Sequence, residues 1–561
     1  MAFVSMKTIC VSFVLIVVLV ATAAFFVLQR TNNEEYIPPP ERNPIGRFEE
    51  TVHVTQARIL TYWMDFDEGR NENDNWWTDA YYEHLNIRLT NLFTAPMWGA
   101  DFDMMVNLAF ATGNLPDIMP LYTSLAVRAI EGELVMDLTE IFERYASDQV
   151  KALYAQDPRA LEAWTFDGRL MGLPQAASMG DFSFFWIPAS LLNILNNGHI
   201  PQNFYELNAL AASVRDYTGG YAIGMDKNLQ VMEFIMPMFG ATSNWIEDDG
   251  KLVWGRIMPE MRLVWQQLAD WYAEGILAVD FAVKTQEDVT YDFAARRMGL
   301  MPEGSHLPNG SAGRSFIAAN PQDDLVAIPI MRHDGQSVQM ISDSGYNNVL
   351  MISVNAENPD AIMRMFNLTT AIINEGENRP EWVINNHWET SPEGNMEIWN
   401  SLATGTGAAF DMHYNPAISA MNALQSGVNI RTLYDTRAFR TIGAYDRISN
   451  WLLHGMVHDT WEANWALWNM TMGSRSLLTA GEKHETGHIV PSPRWGAETT
   501  SEAAFNAGLA VRFVEFATIA IMDNDVYNQF DEWLRFFYAN GGDEINREVN
   551  EWWRINKREY E

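Results

Sequence analysis

His484-Glu485-Thr486-Gly487-His488 has the residue types and spacing of a zinc peptidase motif. In that chemistry two imidazoles hold the metal and the glutamate activates a metal-bound water. A helix is the precondition, because there positions i and i+4 share one face. Gly481 and Gly487 bracket the motif, Pro491 and Pro493 follow it, and no apolar stripe accompanies it. Such a stretch reads as a surface loop, so no metal is expected there.

A second candidate is the acidic run from Asp65 to Asp74. It clusters the oxygen ligands calcium takes, but an EF-hand loop places glycine sixth and glutamate twelfth. Counted from Asp65, Gly69 falls fifth and the twelfth residue is Trp76, so a solvated loop leaving a strand is expected. The chain holds 72 acidic side chains, enough that some pair must lie at a glycosidase's spacing, yet no local motif selects one. G-x-S-x-G, G-x-x-x-x-G-K-[ST] and G-x-G-x-x-G are all missing from the sequence. Neither a nucleophile elbow nor a phosphate cradle of the common kinds is present.

The 21 tryptophans offer a different chemistry. A sugar ring presents an apolar C–H face that stacks on flat aromatics, and carboxylates and amides satisfy its hydroxyl rim. Trp265, Trp271, Trp533 and Trp552 sit at helical spacing and read as core. Trp63, followed by Asp65, and Tyr122, after Asp117-Ile118, stand instead at the ends of expected strands. Ligands of open α/β sheets bind at that edge.

The elements around these residues alternate short apolar runs with amphipathic helices, the pattern of an α/β fold. Ile59–Trp63 reads as a strand. Asp101–Thr112 reads as a helix with Met105, Ala109 and Phe110 on one side, stopped by Gly113 and Pro116, and Ile118-Met119 opens the next strand. From Pro259, apolar residues at 261, 264, 265, 268, 271 and 272 mark a helix closed by Gly275. Phe505, Leu509, Phe513, Phe516 and Ile519 line a second, and Val526, Phe530, Trp533, Leu534 and Phe537 a third, ended by Gly541-Gly542. Asp543 is placed to N-cap a last helix carrying Ile545, Val549 and Trp552.

At 561 residues the chain exceeds the size of one core, so at least two lobes are expected. The 37 basic side chains leave a formal charge of −35. That balance argues against nucleic acid and against an anionic lipid surface as partners. Cys10, the only cysteine, excludes an intrachain disulfide and a cysteine-based metal site in the body. Thr8–Leu28 carries no charge between Lys7 and Arg30, long enough to span a bilayer. Ala21-Thr22-Ala23 could serve as a signal-peptidase site, but Phe25–Leu28 prolong the apolar run and favour a retained signal anchor. Lys7 keeps the start inside, so the body is expected outside the cell. Residues 31–50 hold four prolines and read as a spacer.

Several segments together resemble the family 1 extracellular solute-binding proteins, and among them the long oligosaccharide-binding group serving ABC importers of Gram-positive bacteria. Asn107–Ile118 (NLAFATGNLPDI) is similar to that family's ASGDLPDI segment, and Gly132 with Leu134–Thr139 to its G-x-L-x-D-L-T step. Phe166–Pro174 (FDGRLMGLP) is similar to DGK-x-YGLP, and Trp271–Leu277 with Asp280-Phe281 to LYxEGLIDxDF. Phe530-Asp531, Gly541–Asp543 and Glu548–Trp552 resemble the C-terminal FDxxVxxWxxxGGxxIxxEVNEW signature. Two departures stand out. The lipoprotein cysteine box is missing, and the family's W-I-R-x-D-W-L crossing segment appears as Phe185–Leu191 without its Arg and Asp.

The resemblance implies a two-lobed, maltose-binding-protein-like fold with the chain crossing between lobes more than once. It divides the body at 51–561 into one lobe of about 51–178 and 316–355 and another of about 179–315 and 356–561. Arg297–Gly304 resembles the family's strand and loop facing the cleft, which makes Glu303 and His306 expected ligand contacts. Asp343 and Tyr346, after an expected strand Ser337–Ile341, are further contacts, beside Trp63, Asp65 and Tyr122. The implied function is binding without chemistry, needing no cofactor: a monomer anchored in the cell membrane captures an oligosaccharide by lobe closure and delivers it to ABC permease subunits. A surface hydrolase, zinc peptidase or glycosidase, and a sugar-sensing receptor are the alternatives.

Overall fold

The computed structural model describes residues 43–60, 69–96, 100–155, 157–174, 182–342, 348–373, 465 and 469–557. The first lobe begins with β1 (Val52–Leu60), which runs parallel to β2 (Ile87–Pro96) with a register shift between Gln56 and Ala57. Helix α1 (Ala100–Thr112) follows β2; it buries Phe102, Val106 and Ala109 and stops at Gly113, whose φ of 71° only glycine adopts without strain. β3 (Ile118–Tyr122) then pairs with β1, and α2 (Thr123–Glu131) starts where it ends. Both connections put a helix N-terminus at the C-terminal edge of the sheet. Farther on, β4 (Thr165–Phe166) and β5 (Arg169–Leu170) close a two-residue hairpin. Its corner residues Asp167 and Gly168 have φ of 51° and 76°, the left-handed pair that matches strand twist. β6 (Leu173–Pro174) ends this part of the lobe.

Covalent continuity carries the chain through residues 175–181 into a second lobe. There β7 (Ser183–Pro188) is buried at all six positions. Phe184, Phe185 and Trp186 are each at most 1% exposed, and burying such a phenylalanine contributes about 1.5–3 kcal/mol. Helix α3 (Phe204–Thr218), the hairpin β8 (Trp245–Asp248) with β9 (Lys251–Trp254), and α4 (Glu260–Ala273) follow. Helix α4 buries Met261, Val264, Trp265, Leu268 and Trp271 as its spacing predicts, although Pro259 stands at the N-cap rather than inside. β10 (Met301–Gly304) and β11 (Leu325–Pro329) flank β7, both antiparallel to it, and β12 (Met340–Ser342) closes the segment.

Residues 343–347 return the chain to the first lobe. β13 (Asn348–Ile352) inserts between β3 and β6, giving the five-stranded order β2-β1-β3-β13-β6, and α5 (Pro359–Ile373) packs beneath. The last described part is α6 (Ser476–Glu485), β14 (Ile489–Pro491) parallel to β12, α7 (Thr500–Asp523), α8 (Val526–Phe537) and α9 (Asp543–Asn556).

Two separate cores result, one built on β1, β3, β13 and α5, the other on β7, α4 and the C-terminal helices. Their membership differs from the expected division in two stretches. Phe316, Ile317, Leu325 and Ile328 pack in the second core, and Ala361, Ile362, Met365 and Phe366 pack in the first. The spacer also ends sooner than residue 50. Phe48 lies under the Arg364 guanidinium at 4.1 Å, Arg364 donates to the Gly46 carbonyl at 2.6 Å, and Asn367 donates to that of Pro44 at 2.9 Å.

On α7 Leu509 and Phe513 are buried as expected, but Phe505 and Ile519, expected on the same face, are 39% and 43% exposed, and Ala517, Ala520 and Ile521 are buried in their place. This helix is long and apolar enough to cross a bilayer by length and composition, yet its buried residues belong to the second core. Asp543 is the first residue of α9 and makes no side-chain cap. The signal-anchor run lies outside the described residues.

Candidate functional site

Two sheet ends, one in each lobe, adjoin the crossings and carry residues singled out from the sequence. In the first lobe β3 ends at Tyr122, opposite Asn348, the residue on which the chain re-enters after 343–347. In the second, Ser183 opens β7 just after 175–181 and stands opposite Gly304, the last residue of β10, with Glu303 next to it opposite Phe184. Tyr122 and Glu303 therefore each sit beside a passage from one lobe to the other.

The Tyr122 side chain is half-exposed. Partial burial, and then the negative charge of Asp103 in the first turn of α1, push its hydroxyl above the ordinary tyrosine range. At neutral pH the group is a protonated donor beside a flat ring. Glu303 is half-buried; its Oε1 accepts from the Gly304 amide at 3.0 Å, and the Gly304 carbonyl accepts from the Trp186 indole at 3.0 Å. The Trp186 bond fixes the end of β10 against β7. His306 precedes the turn Leu307–Asn309, and Ser476 at the start of α6 holds the adjoining Ser305 carbonyl at 2.8 Å. Trp63, Asp65, Asp343 and Tyr346 lie outside the described residues.

Sequence reading passed over Asp103. It opens a helix that follows a strand, the position from which an α/β sheet contacts its ligand, and that was its available signal. The segment assigned as a crossing, Phe185–Leu191, lies within the second lobe: those residues form most of central strand β7 and the start of the next helix.

The motif at 484–488 is not the loop expected of it. His484 and Glu485 are helical, ending α6, and Thr486 is its C-cap. Gly487 then turns with φ of 73°, and His488 places its carbonyl on the Met340 amide at 2.8 Å and its Nδ1 against the Thr486 hydroxyl at 2.8 Å. The helix stops between the two histidines, so the shared face that zinc ligation needs is not formed. Among the described residues no three metal-ligating side chains cluster. In the described part of the acidic run, Arg70 pairs with Asp74 at 3.3 Å and Asp79 at 2.6 Å.

No family model matches the chain, and no curated protein matches it. Solved structures do. The alginate-binding protein AlgQ2 shares 15% identity with a TM-score of 0.59, over 90% of this chain and 99% of its own. An HMO-binding, ABC-transporter-associated solute-binding protein of Bifidobacterium longum infantis shares 13% with a TM-score of 0.59, over 91% and 100%. The N-glycan transport solute-binding protein NgtS of Streptococcus pneumoniae shares 14% with a TM-score of 0.57, over 91% and 100%. The chain has the two-lobed α/β fold of the solute-binding proteins of ABC transporters.

Proposed function

We propose that this chain is the substrate-binding component of an ABC importer, taking an oligosaccharide between its lobes and releasing it unchanged. The observation that carries the reading is the placement of Tyr122 and Glu303, one from each lobe, at sheet ends beside the crossings. A ring that stacks and a carboxylate that accepts hydroxyl bonds supply the two halves of sugar recognition. Trp63, Asp65, His306, Asp343 and Tyr346 complete the contact set. Solved structures with this fold over their whole length are described as binding alginate, HMO and N-glycan, which supports a sugar of several units. Closure of the lobes absorbs part of the interaction energy, leaving the ligand releasable to permease subunits. The N-terminal apolar run tethers a monomer to the membrane, with the body outside.

The test is a panel of neutral and charged oligosaccharides against the full-length chain, read by melting midpoint and by small-angle scattering. A sugar that raises the midpoint and compacts the particle, with its mass unchanged after incubation, supports the reading. Stabilisation by peptides or metals alone, or accumulation of a cleaved sugar, overturns it.

A further inference from the structure

A clip on neighbouring residues fastens the lobes. After β14 the chain touches the first lobe once more. Trp495 is 6% exposed within the first core, and Gly496 lies against Ala163, its would-be Cβ 3.3 Å from the Ala163 Cα. Arg494, the residue before, turns into the second lobe. Its side chain is 7% exposed, and its guanidinium donates to Glu502 of α7 at 2.7 Å and covers the indole of Trp552 on α9 at 4.6 Å. It also donates to the carbonyls of Trp495 and Ala497, winding the loop around itself. Trp552 packs on both cores and meets Trp495 edge-on at 5.1 Å. Glu502 also closes a capping box with Thr499, and Ser501 donates its amide and hydroxyl to Glu548 of α9, so α7 and α9 form one frame around the clip.

We propose that Arg494 is a positioning residue for ligand capture: with Glu502 and Trp552 it makes residues 494–497 the fulcrum on which the lobes turn. The physical reason lies in the adjacency. One side chain is locked in each lobe with a single peptide link between them, so relative motion concentrates at that link. Stranding one charge of a buried pair is costly, so Arg494 stays fixed to Glu502 while the link to Trp495 bends. Removing the pair as a unit frees the fulcrum, alters the range of lobe angles, and so changes affinity for a ligand whose proposed contacts include none of these residues. The inference rests on the reading that the lobes close on a ligand.

The experiment places donor and acceptor dyes at Leu108→Cys and Tyr205→Cys, both exposed and one in each lobe, in full-length chain carrying Cys10→Ser. Lobe distances are read in the free protein in four backgrounds: unaltered, Arg494→Met with Glu502→Gln, Trp552→Phe, and Asp292→Asn as a destabilised control inside the second lobe. The double variant should broaden or shift the distance distribution well below its melting point, with Trp552→Phe moving it less and Asp292→Asn not at all. For a sugar found by the panel above, the double variant should change affinity by roughly tenfold. A folded double variant with an unaltered distribution overturns the proposal. If it fails to fold, Trp552→Phe decides by the same distances. Because these are read without ligand, a panel in which no sugar binds refutes the transport reading alone.

Discussion

Tyr122 ends its strand directly opposite Asn348, and that pairing sets the ring at the point where the chain comes back from the second lobe. Tyr122→Ala removes a stacking face and a hydroxyl together. The expected loss is about 1–2 kcal/mol of binding, roughly tenfold in affinity for the sugar that the panel identifies, with the melting point of the free protein little changed. Isothermal calorimetry reads it; unchanged affinity would remove Tyr122 from the contact set.

Glu303 tests the other lobe. Glu303→Gln keeps the shape and withdraws the charge, so a hydroxyl that bonds the carboxylate loses about 1 kcal/mol. Tyr122→Ala and Glu303→Gln stand in different lobes, and their effects should add within a few tenths of a kcal/mol. Additivity measured by calorimetry on the double variant is the expected result.

Asp292 governs the pH response of the second lobe. Its side chain is 6% exposed and accepts from Tyr221 at 2.7 Å, Lys284 at 2.8 Å and Arg297 at 3.1 Å. Burial alone would raise its carboxyl, but the bonds from Lys284 and Tyr221 prevail and hold it below the usual range. That stability is present above the unfolded value of about 3.9 and is lost as the pH falls through the folded value. Tyr221 is pushed the other way, by burial first and then by its bond to Asp292, so its share fades as the pH rises past about 10. Asp292→Asn should cost about 2 kcal/mol at neutral pH and flatten the acid limb of a denaturation profile; Tyr221→Phe should flatten the alkaline limb.

Metal plays no part in stability at 484–488 if the helix ends where it does. A chelator should leave the melting midpoint in place, and His488→Ala should bring no loss of bound zinc by elemental analysis. Stoichiometric zinc lost on that substitution would revive the peptidase reading.

Gly541 has φ of 99°, and a Cβ there would run into the ring of Phe505. Gly541→Ala should therefore destabilise by about 1–3 kcal/mol, from backbone strain and overpacking, measured by denaturant melting. The same substitution at Gly508, where a Cβ would meet nothing, should be neutral or mildly stabilising.

Local signals were legible in the sequence where one residue type decides. Gly113 ended α1, and helix α4 buried the face its spacing marked. Apolar spacing held at the middle of α7, where Leu509 and Phe513 are buried, and failed at its ends: small Ala517 and Ala520 took the buried side, and larger Phe505 and Ile519 were left outside. The lobe division implied by the resemblance put β13 with β3, as they pair, but not the helices before and after it: Phe316 and Ile317 pack in the second core and Ile362 and Phe366 in the first, and no periodicity announces which core an apolar face meets. Gly481 looked like a helix breaker and is buried within α6, its intrinsic cost of about 1 kcal/mol absorbed by packing. Of the proposed contacts, Tyr122 was singled out as the end of an expected strand and Glu303 only through the resemblance of Arg297–Gly304, while Asp103 needed the fold to bring it near Tyr122.

The docking of residues 44–48 against Arg364 and Asn367 has a mechanical outcome. On the proposed reading, whatever grips the polypeptide upstream grips the first lobe, which becomes the stator, and the second lobe is the half that swings.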